Sequence, residues 1–259
     1  MKTKLYILLI TTTLCFTSAA QSLVEKANAE YVADKYANAI QLYLQVAQEE
    51  GISSDLYYNI GNTYYRMGEL GYSVLYFERA LMLDPQNDDA RTNLEFVNSK
   101  IQTKISQEKS FVIQLIDDFI GSLSSNTWAT IAICSFILLL GGILLYIFSS
   151  IIFLRKIGFF GGGVMLLFLI VSILCAFSMK SKLESHNKAI IISPSVTLST
   201  VPRTPKDKNE EAFILTAGNK VTIVDSVETT NGEQHVKWYD IKADDTHRAW
   251  LKSENIEII

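Results

Sequence analysis

Three histidines, three cysteines and a scatter of carboxylates are the residues of this 259-residue chain whose types could do bond-making chemistry. His186, His235 and His247 are spread over different segments. No Ser or Cys nucleophile motif, phosphate loop or paired-carboxylate site accompanies them. Cys134 and Cys175 lie inside long apolar runs. Cys15 follows Leu14, where lipid attachment at a cysteine needs a small residue. No cysteine remains in the other segments for a disulfide or a zinc site. The expectation is a protein that is not an enzyme and needs no metal or cofactor. What remains is recognition chemistry, meaning asparagines that can hydrogen-bond an extended backbone and tyrosines with an apolar ring and a polar tip.

Those residues concentrate in "YYNIGNTYYRMG", Tyr57 to Gly68. A shift of 34 residues pairs Ala27 with Gly61, Tyr31 with Tyr65, Asp34 with Gly68, Ala39 with Ser73, Tyr43 with Phe77, and Val46 with Ala80. A period of 34 with small and aromatic positions alternating in this way resembles the tetratricopeptide repeat, a pair of antiparallel helices. The copy at 54–87 keeps the pattern closely through Tyr57, Ile60-Gly61, Tyr64, Gly68, Ser73, Phe77, Ala80 and Pro85. The copy at about 20–53 keeps only "YANAIQLYLQVA". Gly61, Tyr64, Ser73, Phe77, Ala80 and Pro85 are therefore read as packing residues. Asn28, Tyr58, Asn59, Asn62, Tyr65 and Arg66 are the candidates for a binding groove.

Residues 21–126 carry 8 Lys+Arg against 15 Asp+Glu, a net of −7, which excludes nucleic acid as a partner. Some proteins of the repeat family hold C-terminal carboxylates with lysines and asparagines at set groove positions. In that frame Asn28 and Asn59 stand in asparagine places, while Val24, Asp89 and Asn93 stand where cations would be. A neutral or basic partner segment suits such a groove better than an acidic tail.

The first residues, "MKTKLYILLITTTLCFTSAAQ", read as a secretory signal peptide cleaved after Ala20. Two further apolar runs, 128–148 and 157–177, each have the ~20 residues needed to cross a bilayer. Between Phe119 and Leu154 there is no charged residue. Arg155-Lys156 is read as the connection between the spans, and it places that connection in the cytoplasm. The expected location is the inner membrane, with lipid around the spans and both soluble arms in the periplasm. The glycines at 141–142 and 161–163 would let the spans approach closely.

Around the spans, "NDDARTNLEFVNSKIQTKISQ" reads as a capping helix over 88–107, with Leu94, Val97, Ile101 and Ile105 on one stripe. Residues 111–126 are amphipathic; they either lie on the outer membrane surface or continue the solenoid. Residues 178–188 read as a linker. From 189 to 259 the period changes to short β-rich runs, with turns at Ala217-Gly218-Asn219 and Asn231-Gly232. The "KVTIVD", "WYDI" and "AWLKSENIEII" runs resemble the bacterial SH3-like barrel. Trp238 and Trp250 are read there as core and rim.

The expected architecture is multi-domain, with an α-helical solenoid, a two-helix transmembrane hairpin and a small all-β barrel. This order of modules resembles the BatE-like tetratricopeptide membrane proteins of the Bat aerotolerance operons of Bacteroidetes. The resemblance implies partnership with sister membrane proteins bearing von Willebrand A domains, and an operon link to a MoxR-type ATPase. The function expected is a membrane-anchored scaffold for protein partners in the periplasm, linked to aerotolerance. The alternative is a cell-wall anchor whose SH3-like module binds peptidoglycan peptides.

Overall fold

The computed structural model describes residues 23–101, 110–185, 187–231, 234–244 and 246–259. The expected signal peptide, Ile105 and Gly232 lie outside them. The helical region begins with α1 (23–32), followed by α2 (Tyr36–Glu49), α3 (Ser54–Met67), α4 (Leu70–Leu83) and α5 (Asp88–Asn98). The 34-residue step is visible in the backbone. Asp34 and Gly68 both turn through the left-handed region, at φ 58° and 83°, and each ends the first helix of a pair. Ser53 caps α3 by accepting the Leu56 N–H at 3.1 Å, and Asn87 caps α5 by accepting the Ala90 N–H at 2.9 Å. Ser54 Oγ donates to the Ala80 carbonyl at 3.0 Å and accepts from Asn87 at 2.9 Å, which ties the start of α3 to the end of α4.

Phe77, Ser73 and Ala80 are fully buried, as is Gly61, and Pro85 is buried beyond the end of α4. Tyr57, Tyr64, Tyr72 and Tyr76 form an aromatic ladder along the α3–α4 seam, with centroids 4.9–5.6 Å apart. The tyrosines of the opening stretch thus serve largely as side-chain packing. The last helix is shorter than the expected 88–107. After Asn98 the hydrogen bonds tighten to three-residue spacing, Lys100 N to Val97 O and Ile101 N to Asn98 O. Ser99 Oγ caps the Phe96 carbonyl, and Ile101 turns into the core.

The C-terminal strands are β1 (Lys188–Ile191), β2 (Ser195–Ser199), β3 (Glu211–Thr216), β4 (Lys220–Asn231), β5 (Gln234–Lys242), β6 (Arg248–Lys252) and β7 (Ile256–Ile258). They form one antiparallel sheet in the order β3-β2-β6-β5-β4-β1-β7. Ile191, Leu198, Leu215, Val221, Ile241 and Leu251 fill its core. Gly218 supplies the positive φ of the β3–β4 turn. The sheet is open, with β3 and β7 at its edges, where a closed barrel was expected. At the β7 edge the Ile258 carbonyl accepts a 2.6 Å hydrogen bond from Arg79 of α4.

That contact belongs to a wider seam. The chain divides into two compact units, and the first contains Met1–Leu83, Asn87–Glu108 and Asn187–Ile259. Ile190 is fully buried in the core of the helical repeats, and Ile259 packs on the same cluster. Lys220 pairs with Glu78 at 2.7 Å. Gly71 comes so close to β1 that a Cβ there would lie 2.7 Å from the Ile191 carbonyl oxygen. Repeats and sheet, expected as separate modules, thus form one compact unit in which Ile190 and Ile259 join the core of the repeats.

The second unit contains Asp84–Gln86 and Lys109–His186. Its helices are α6 (Phe111–Gly121), α7 (Ser125–Phe148) and α8 (Ile152–Glu184). Two stretches, Ser125–Phe148 and Ile152–Lys182, are long and apolar enough to cross a membrane. They run antiparallel, with Ser125 Oγ donating to the Ala176 carbonyl at 3.1 Å. The connection is Ser149–Ile151 rather than Arg155-Lys156, which lies in the first turns of α8. Ser149 is extended, and its hydroxyl accepts the Ile151 N–H at 3.2 Å, so the break falls at the serines. The helix also continues through most of the expected 178–188 linker, to Glu184. Gly142 and Gly158 form the closest crossing, since a Cβ on Gly158 would meet the Gly142 carbonyl oxygen at 2.6 Å.

Candidate functional site

The first helices of the successive pairs, α1, α3 and α5, present one face of the repeats. In the 34-residue step, Asn28, Asn62 and Phe96 occupy one position along it, and Val32, Arg66 and Lys100 another. Asn62 accepts a 2.7 Å hydrogen bond from the Asn93 amide, which links α3 to α5. The same amide nitrogen lies 3.5 Å from the Tyr58 hydroxyl. Tyr65 meets Phe96 edge-on at 5.6 Å. Asn28 is exposed and accepts the Tyr43 hydroxyl proton at 2.5 Å.

Tyr58 is half-buried with its ring 6.0 Å from that of Phe77, so it supports the core as well as the face. Asn59 is half-buried, and its backbone carbonyl receives the Thr63 hydroxyl at 2.7 Å. Arg66 is exposed, pairs with Asp34 at 3.3 Å and lies over the Tyr36 ring at 5.2 Å. Tyr36 also hydrogen-bonds Asp34, and that bond raises its phenol pKa above the ordinary value. Burial pushes the hydroxyls of Tyr43 and Tyr64 up to about 12, helped at Tyr64 by neighbouring Tyr76 and Tyr72.

The net −7 of this arm conceals a division of charge. Asp55 opens α3, and Asp88 and Asp89 open α5. Arg66 stands in the last turn of α3, and Lys100 lies two residues beyond α5, over the Phe96 ring at 5.0 Å. Acid at helix starts and base at helix ends each match the helix macrodipole. The starts of α3 and α5 carry carboxylates, while Arg66 (paired with Asp34) and Lys100 lie over aromatic rings beyond them. The roles of Phe96 and Lys100 were missed from the sequence, although both lie 34 residues beyond named candidates. The repeat frame was not carried into the capping helix.

The sheet has a concavity of its own, a cavity of about 530 Å³ lined by Pro202, Arg203, Pro205, Lys206, Trp238 and Lys252, among others. Trp238 is buried, with the Lys252 ammonium 5.8 Å from its ring centroid, while Trp250 is half-buried. Arg203 is clasped by Glu210, whose carboxyl is held below its ordinary pKa by that bond and by the Lys206 N–H. His235 is exposed on β5. His247 belongs to a polar turn, in which Asp244 accepts the Thr246 and His247 N–H groups at 2.7 Å.

Residues 54–87 match the tetratricopeptide repeat family. No curated protein matches the chain. A repeat of this family points to protein–protein interaction.

Proposed function

We propose that the chain is a non-enzymatic membrane adaptor, which holds a protein partner on the α1–α3–α5 face of its repeats. The observation that carries this reading is the tetratricopeptide repeat at 54–87, with Asn62, Tyr65, Arg66 and Phe96 on one face. The shared interior supports the membrane half of the reading. Ile190 and Ile259 follow α7 and α8 in sequence yet pack with helices that precede them, which supports a reading with both soluble arms on one side of the bilayer. An even number of crossings satisfies this. Arg155 and Lys156 near the closed end favour a cytoplasmic hairpin tip and periplasmic arms. The resemblance to BatE-like proteins suggests sister membrane proteins with von Willebrand A domains as partners, with a role in aerotolerance.

The test is a photo-crosslinking residue at position 65 or 96 of the full-length protein in its membrane, with exposed Gln41 of α2 as control. Crosslinks to a protein partner from 65 and 96 but not from 41 are expected. Crosslinks from 41 alone, or from the spans alone, would remove the face from the account. Alkaline phosphatase fused after residue 259 should be active; an inactive fusion would overturn the placement of the arms.

One observation favours the second reading, a module that binds peptidoglycan peptides. The cavity over Trp238 has three cationic side chains and, among the described residues, no carboxylate in its lining, with Arg203 paired to Glu210 and Lys252 to Glu254 just outside it. Such a lining suits a carboxylate-bearing peptide. Lys206→Ala with Lys252→Ala should then abolish sedimentation with purified cell wall; unchanged sedimentation would exclude the cavity.

A further inference from the structure

Helix α6 carries apolar side chains on most of its circumference, yet none of its residues is buried. Phe111, Val112, Leu115, Ile116 and Phe119 fall within one arc at 100° per residue and are 52–72% exposed. The other flanks are fixed. Asp117 accepts a 3.2 Å ion-paired hydrogen bond from Lys182 near the end of α8. Ile120 packs on the Trp128–Cys175–Met179 cluster, and its carbonyl accepts the Trp128 indole N–H at 3.0 Å. The Phe119 ring lies 5.5 Å from that indole. Helix α6 is therefore fastened to the first turn of α7 and the last turns of α8, where both helices change from apolar to polar sequence.

We infer that α6 is an interfacial helix, which lays Phe111, Val112, Leu115, Ile116 and Phe119 into lipid at the open end of the α7–α8 hairpin. The inference rests on the reading of α7 and α8 as spans, to whose ends α6 is fastened through Asp117 and Ile120. Water is a poor solvent for five large apolar side chains on a single arc. A tryptophan with its N–H satisfied, just inside a span, marks the depth at which headgroups meet acyl chains. An amphipathic helix at that depth buries its apolar face a few ångströms into the boundary, with Gln114, Asp117 and Asp118 toward water. The occupant of the face is the bilayer rather than a further helix of the repeats.

Spin labels placed singly at positions 112, 115, 116, 114 and 118 would test this. The full-length protein, with its native cysteines replaced, would be reconstituted in vesicles of phosphatidylethanolamine and phosphatidylglycerol. Labels at 138 and 167, exposed on α7 and α8, serve as references. The expected result is high oxygen and low nickel-chelate accessibility at 112, 115 and 116, and the reverse at 114 and 118. Positions 138 and 167 should report deeper lipid. Nickel-chelate accessibility at all five α6 sites, with lipid values at 138 and 167, would overturn the interfacial helix while sparing the spans. Low accessibility of 112, 115 and 116 to both reagents would mean a protein cover and would also overturn it. Aqueous values at 138 and 167 would remove the membrane reading and this inference with it.

Discussion

Gly61 and Phe77 stand so close that a Cβ on residue 61 would lie 2.8 Å from two carbons of the Phe77 ring. Helices α3 and α4 can only approach this far because residue 61 lacks a side chain, and the fully buried ring has nowhere to retreat. Helix propensity favours alanine over glycine by roughly 0.5–1 kcal/mol, but overpacking in a filled core typically costs about 1–3 kcal/mol. Gly61→Ala should therefore lower the thermal midpoint of the full-length protein. Combining it with Phe77→Leu should recover part of the loss. An unchanged midpoint for the single variant would mean that the two helices are free to separate.

Alkali should loosen the repeats before it affects the sheet. The phenols of Tyr43 and Tyr64 are raised from 10.0 to about 12 in the fold. A raised folded value means that the native state holds its proton more tightly than the unfolded chain. The associated stability is complete below about pH 10 and drains away as pH climbs toward 12. Urea midpoints measured between these values should fall, and Tyr43→Phe should show a shallower decline than wild type. A decline that begins well below pH 9 would assign the loss to other groups.

Ile190 tests the seam between repeats and sheet. It is fully buried among helices although it belongs to β1. Truncating a buried isoleucine costs about 2–5 kcal/mol. With Ile190→Ala, hydrogen exchange should quicken at the amides of α4 as well as in the sheet. Acceleration confined to β1 and its strand neighbours would show that the helices stand without it.

Gly158→Leu addresses the hairpin. The nearest atoms to a Cβ there are backbone atoms of α7, including the Gly142 carbonyl oxygen, which cannot swing aside as a side chain would. The α7–α8 crossing should open, and the detergent-solubilised protein should aggregate at lower temperature. Gly161→Leu, where a Cβ would meet nothing within 4 Å, should leave that temperature nearly unchanged. Equal effects from both variants would mean that the crossing is not at Gly158.

The sequence made periodic features legible and left junctions obscure. The 34-residue step was readable because a helix pair must repeat small and aromatic residues to stack, and Asp34 and Gly68 carry the same turn. The apolar helices were readable from composition. Their junction was not, because Arg155-Lys156 draws the eye while the weaker Ser149-Ser150 pair makes the break. The seam was hidden for a different reason. Ile190 and Ile259 look like ordinary strand residues, and nothing in a strand's two-residue alternation says that its outward face will meet a helix. The local charges of the repeat face disappear in a net sum, and they emerge only when Asp55, Asp88 and Asp89 are placed at helix starts and Arg66 in a last turn.

The shared interior also sets an order of events during synthesis. The repeats leave the ribosome first, but Ile190 follows Ile101 only after the whole hairpin has been made. At roughly 5–20 residues per second that interval is on the order of ten seconds. Throughout it, the helices that Ile190 will cover stay open to proteases and chaperones. Completion of the repeat core thus waits on synthesis of α7, α8 and β1. Stalled nascent chains ending before residue 187 should accordingly be cut within α4 by added protease, whereas released full-length protein should resist.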